Sequence, residues 1–177
     1  LHKQYPETQN TPVTCTYMDE EKNIWFCTEN NLYVYNGNNH KSKKINQRIP
    51  GKITCIIQAH GNKYFISNEE YLYSATFHKG LLENIQKVNI PSIHIIDYIY
   101  YHKPTKKLII NALLDKLFIY TPTTGELTDL GEHLKDIGVN TIIPNREKKY
   151  SLPPTETVST SSMLSRSVSL ISFRKTT

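Results

Sequence analysis

A chain of 177 residues, 38% of them hydrophobic, is long enough for one ordinary domain with its own core, and a net charge of +5 is too small to hold it unfolded. No apolar run approaches the roughly eighteen residues of a membrane-spanning helix. Three cysteines give neither a disulfide framework nor metal-ligand spacing, and the basic residues lack the interleaved stacking aromatics that nucleic-acid binding needs.

Residues 1–10 are polar, with Pro6, and read as an extended lead-in; a chain opening at Leu1 without Met or signal sequence predicts a removed leader. Residues 11–51 form a first unit, with strands predicted at 13–18, 23–28, 32–36 and 41–46. Its centre is the hairpin Asn23-Ile24-Trp25-Phe26-Cys27-Thr28, polar turn Glu29-Asn30-Asn31, then Leu32-Tyr33-Val34-Tyr35. Asn in that turn tolerates positive φ or bonds back to its own backbone. The charged turn Asp19-Glu20-Glu21-Lys22 precedes it.

The pattern returns. Residues 52–91 carry strands at 53–59, 63–67, 71–77 and 84–89, with the turn His60-Gly61-Asn62. Residues 92–138 carry strands at 95–101, 107–112, 116–121 and 127–130, the turn Pro122-Thr123-Thr124-Gly125, and a short helical turn expected near 132–137. Leu32, Leu72 and Leu117 occupy equivalent places, spaced by 40 and 45 residues. Four short strands per unit at that spacing predict an all-β fold, an incomplete β-propeller of about three and a half four-stranded blades.

A fourth blade starts over residues 139–150 with Val139-Asn140-Thr141-Ile142-Ile143, and then the pattern stops. Residues 151–177 are an irregular tail, about half Ser or Thr, without Gly or Asp. Codons compatible with residues 150–162, read two bases out of frame, can spell Phe-Phe-Ala-Thr-Asp-Gly-Asn-Gly-Val-Tyr-Gln-Leu, which is a blade hairpin. The tail is therefore expected to be a frameshift product, and the nucleotide sequence around codon 150 tests this.

The first unit, with Asp19, Asn23, Trp25, Thr28, Leu32 and Tyr35 at the pattern positions, resembles the two-component regulator propeller repeat. Asn31 and Cys27 stand where Gly is usual, and the later units match more loosely, with Tyr64 and Leu108 in the Trp place and Ser67 in the Thr place. The resemblance covers about residues 11–149. It implies the periplasmic sensor region of hybrid two-component histidine kinases of Bacteroides type, sensing breakdown products of polysaccharides without catalysis. Three and a half blades cannot close a ring and leave bare strand edges, so a fragment that cannot signal by itself is expected, able to self-associate through those edges.

Candidate chemistry is sparse. The seven histidines, His2, His40, His60, His78, His94, His102 and His133, show no ligand spacing, so no metal and no cofactor are expected. No Gly-x-Ser-x-Gly elbow or phosphate-cradling loop is present, and no catalytic residue is assigned. The carboxylate pairs Asp19 and Glu20, and Glu69 and Glu70, lie in turns and read as solvated. Lys41, Lys43 and Lys44, and Arg146, Lys148 and Lys149, likewise read as solvated loops. Cys15 and Cys55 recur at one place in two units and read as small core residues. Trp25, Tyr64 and Leu108 could stack on a sugar but are better explained as packing at one recurring position. A ligand is expected instead at rim residues such as Tyr17, Tyr98 or Asn111, with no binding residue fixed. A non-enzymatic propeller scaffold for protein partners is the alternative, and a propeller enzyme such as a polysaccharide lyase is a third reading. Neither nucleic acid nor membrane is an expected partner.

Overall fold

The computed structural model of the chain describes residues 11–29, 31–45, 49–91, 93, 95–112 and 116–130, and the backbone alone of 139–144 and 168–172. The expected lead-in, the helical turn near 132–137, the basic group Arg146, Lys148 and Lys149, and most of the Ser/Thr-rich tail lie outside the described residues.

Short runs rich in apolar, aromatic and β-branched residues between tight turns fold as three antiparallel four-stranded meanders. The first sheet contains β1 (Val13–Met18), β2 (Asn23–Thr28), β3 (Leu32–Asn36) and β4 (Lys41–Ile45). The second contains β5 (Ile53–His60), β6 (Lys63–Asn68), β7 (Leu72–His78) and β8 (Leu81–Lys87). The third contains β9 (Ile96–His102), β10 (Lys107–Ala112), β11 (Lys116–Thr121) and β12 (Glu126–Asp129). A further pair joins β13 (Val139–Pro144) to β14 (Val168–Ser172), so one strand lies inside a stretch for which the sequence suggested no regular element. The described residues are all-β, with no helix.

The turns follow from their residues. Asn68 Oδ1 accepts from the backbone N–H groups of Glu70 and Tyr71 at 2.9 and 2.6 Å, closing the β6–β7 turn. Asn36 Oδ1 does the same for Asn38 and Asn39 at 2.9 and 3.2 Å between β3 and β4. Lys79 and Gly80, at φ 48° and 77°, form a two-residue loop with His78 facing Leu81. Positive φ at both central residues is what a type I′ hairpin requires, and it corrects the expected start of β8 from residue 84 to residue 81.

The sheets stack face to face, most closely along their first strands, β1 against β5 and β5 against β9. The second sheet is buried on both faces. From β6, Tyr64 and Ile66 join the core shared with the first sheet, while Phe65 joins the core shared with the third. Trp25, Cys27, Leu32 and Val34 supply the first core from the opposite side, and Leu108, Ile110 and Ala112 supply the second.

This register shifts the expected equivalences by one residue, so that Ser67 falls in the place of Cys27, and Asn68, not Ser67, in that of Thr28. Cys27 faces Leu32, Ser67 faces Leu72 and Asn111 faces Leu117, so two residues back along each strand Trp25 matches Phe65 and Ile109. Tyr64 and Leu108 sit one position away and therefore on the other face, because side chains alternate with period two. Trp25 and Tyr64 are thus not the same residue of successive units. They meet across an interface, ring centroids 5.0 Å apart.

Candidate ligand-binding site

The first and second sheets are joined by a buried carboxylate. Asp19, in the β1–β2 turn, is only 3% exposed, which overturns its reading as a solvated turn residue. Its Oδ1 accepts from the backbone N–H groups of Glu21 and Asn23 at 3.0 and 2.8 Å. Its Oδ2 accepts from Asn23 Nδ2, Trp25 Nε1 and Tyr64 Oη at 3.0, 2.9 and 2.9 Å. A charge this deep is tolerable only when donors replace its water, and five do so here. Burial, and then the hydrogen bond to Asp19, push the Tyr64 hydroxyl well above the ordinary phenol range, which keeps it a donor.

Neighbouring turns extend this lock along one end of the sheets. Gln58, 3% exposed, accepts from the Glu20 N–H at 2.8 Å and donates to the Gly61 carbonyl. Glu20 itself is exposed and pairs with Lys103 from the β9–β10 turn. Glu69 and Glu70 are exposed, as are Lys41, Lys43 and Lys44.

Two clefts open on this framework. One, of about 250 Å³, runs along the three first strands and is lined by Thr14, Thr16, Tyr17, Asp97 and Tyr98, with Cys15 and Cys55 among its walls. Burial raises the hydroxyl pKa values of Tyr17 and Tyr98, so both keep a protonated phenol. Cys15 packs against both cores, and its neighbours Cys27 and Cys55, donating to it, hold its thiol below the usual range. Those two are pushed up by the same contact and by burial. The other cleft, of about 460 Å³, lies where the first two sheets diverge and is lined by Lys41, Lys43, Lys79, Glu21, Val34 and Phe77.

Of the rim residues that the sequence singled out, Tyr17 and Tyr98 share the first-strand cleft, while Asn111 lies opposite Tyr98 on β10 and does not line it. Trp25, Tyr64 and Leu108 are 0%, 1% and 0% exposed, so none offers a face to a sugar. Among the histidines, His40 bonds Tyr35 Oη at 2.7 Å, and His102 is buried with its Nδ1 2.7 Å from Thr105 Oγ1. Among the described residues, no group of three or more His, Cys, Asp and Glu could hold a metal ion. Sequence reasoning missed Asp97 and the pairing of Lys41 and Lys43 with the Lys79 turn. Period-two placement of Lys41, Lys43 and Ile45 on one face of β4 was the signal available for the latter.

No family model matches the sequence, and no curated protein does. Solved structures do. A crystal structure of the extracellular domain of BT4673 from B. thetaiotaomicron, described as a one-component system, superposes with TM-score 0.54 at 19% identity, over 66% of this chain and 16% of that one. A second, describing the same protein as a hybrid two-component system, gives 0.53 at 14% identity, over 68% and 16%. An auxiliary nutrient-binding protein from Bacteroides thetaiotaomicron gives 0.53 at 13% identity, over 66% and 35%. At these identities the likeness is one of fold. The chain spans about a sixth of the first two structures and about a third of the other. Among the described residues, no helix is long and apolar enough to cross a membrane.

Proposed function

We propose that this chain is a piece of the periplasmic ligand-sensing β-propeller of a hybrid two-component regulator, its three four-stranded sheets being successive blades, and that it binds carbohydrate breakdown products without transforming them. The observation that carries this reading is the convergence of three first strands on one cleft where Tyr17, Tyr98, Asp97, Thr14 and Thr16 combine aromatic rings with hydroxyl and carboxylate groups. Pyranose rings need that mixture, an apolar face beside convergent hydrogen-bonding groups. Likeness in fold to extracellular domains of two-component and one-component systems, and to a nutrient-binding protein, supports it.

The test is calorimetric titration of the 177-residue chain with a panel of neutral and acidic oligosaccharides, with each mixture then examined by mass spectrometry. The reading expects at least one oligosaccharide to bind, to be recovered intact, and to lose about tenfold in affinity with Tyr98→Ala, because Tyr98 is 43% exposed and its truncation spares the core. Cleavage of the saccharide, or no binding across the panel, contradicts it.

A further inference from the structure

The interface between the first two sheets changes character along its length. Where Leu32, Ile45 and Ile66 meet, it is a closed apolar core. Along β4 the same face continues from Ile45 to Lys43 and Lys41, since alternate residues share a side. There the sheets part around the cleft of about 460 Å³. Its floor is apolar: Val34 is 6% exposed, and half-buried Phe77 packs edge-on against Trp25, centroids 4.7 Å apart. Its walls are cationic. Lys41 and Lys43 come from the first sheet and Lys79 from the β7–β8 turn of the second.

Two details hold these charges around the opening. A Cβ placed on Gly80 would stand 3.3 Å from Lys43 Nζ, so the glycine, at φ 77°, leaves room for an ammonium of one sheet to lie over the turn of the other. Glu21, the one carboxylate among the described lining residues, lies 3.4 Å from Asn23 Nδ2 in the Asp19 network. Three ammonium groups therefore face one partly engaged carboxylate. Among the described residues, none of the three lysines forms an ion pair; the salt bridge found there is between Lys103 and Glu20.

We infer that this rim cleft binds an acidic oligosaccharide, one bearing uronate carboxylates or sulfate esters. The anionic group lies among Lys41, Lys43 and Lys79, and the C–H face of its ring lies on Phe77. Lysine suits the task because three flexible point charges can gather on an anion whose position shifts from one sugar to the next. The apolar floor raises the effect of each charge by excluding water from one side. The saccharide nature of the ligand rests on the sensing function proposed above, whereas the requirement for negative charge rests on the cleft alone.

The experiment titrates the chain with tri-galacturonate, with neutral galactotriose and with inorganic sulfate, at low and high salt. Lys43→Gln/Lys79→Gln serves as the variant, since both side chains are exposed and their neutralisation leaves the core intact. Expected is binding of the acidic trimer at least tenfold tighter than the neutral one, weakening as salt rises, and a loss of at least tenfold in the variant. Sulfate alone should bind more weakly than the trimer and compete with it. Equal affinity for both trimers, or acidic binding that the variant leaves unchanged, overturns the inference while the sensing function stands. Absence of binding by either trimer overturns the inference, and the sensing function falls with it only where the wider oligosaccharide panel also fails to bind. Binding of sulfate and trimer with the same affinity shows a bare anion site and overturns the saccharide inference.

Discussion

The two interfaces that flank the second sheet are built from the same strand pattern but held by different forces. Toward the third sheet the contact is mainly apolar, with Phe65, Leu72, Ile99, Leu108 and Ile110 in one core and a backbone hydrogen bond from the Ile96 N–H to the Glu69 carbonyl beside it. Toward the first sheet a similar core ends in a charged centre, where Trp25 and Tyr64 both donate to Asp19. Apolar packing tolerates small sliding between faces, because it has no direction. Hydrogen bonds to one carboxylate fix distance and angle, so the interface bordering the lysine-lined cleft is the one whose geometry is pinned. The contrast separates what keeps the sheets together from what sets their angle.

The contrast breaks most visibly at Asp19. Asp19→Ala leaves Trp25 Nε1, Tyr64 Oη and two backbone donors without their acceptor and should cost about 4 kcal/mol, each stranded buried donor contributing roughly 1–3 kcal/mol. Urea unfolding followed through the single tryptophan, Trp25, measures it. Leu108→Ala, in the apolar interface, should cost about 3 kcal/mol through lost transfer energy and the cavity left behind.

Tyr64→Phe removes one bond to a charged group and should cost about 2 kcal/mol near neutrality. It also sharpens the comparison at alkaline pH. Buried tyrosines hold their protons in the folded state after the unfolded chain releases them near pH 10, so the folded protein binds more protons and stability must fall as pH rises above that value. Burial raises Tyr101, while Tyr64 is raised by burial and by its bond to Asp19. Tyr64→Phe should therefore flatten the alkaline loss more than Tyr101→Phe does, as thermal melts across pH 9 to about 11 would show. An equal effect would mean that the carboxylate contributes nothing to Tyr64. The smallest expected change is at the exposed pair Lys103–Glu20, which bridges the turns of the third and first sheets. Lys103→Ala should cost at most about 0.5 kcal/mol, and less in high salt.

The strands were legible because each is short, rich in apolar, aromatic or β-branched residues and bounded by turn residues. Val13–Met18, Asn23–Thr28 and Lys116–Thr121 can be read directly from that pattern. The Leu32, Leu72 and Leu117 spacing also marks real equivalence, since each is fully buried on the same face of its sheet. What the pattern could not supply was the face of a strand buried on both sides. In Lys63–Asn68 every residue after Lys63 is buried, so alternation vanishes from the sequence, and aligning Trp25 with Tyr64 by aromatic character slips the register by one. Asp19 was misread for a related reason. A turn carboxylate resembles any solvated one until the sheet beside it supplies a tyrosine 45 residues away. Of the cleft-lining residues, Tyr17 and Tyr98 stood out by type, but their convergence depends on the packing of β1, β5 and β9.

The most direct test of the account is the indole N–H resonance of Trp25, which is unique because the chain has one tryptophan. With the sheets stacked as described, that proton should exchange slowly with solvent and show cross-relaxation to the rings of Tyr64 and Phe77, both effects disappearing in Asp19→Ala. A rapidly exchanging indole proton in the wild-type chain, without contact to either ring, would contradict the stacking of the first sheet on the second and the cleft built between them.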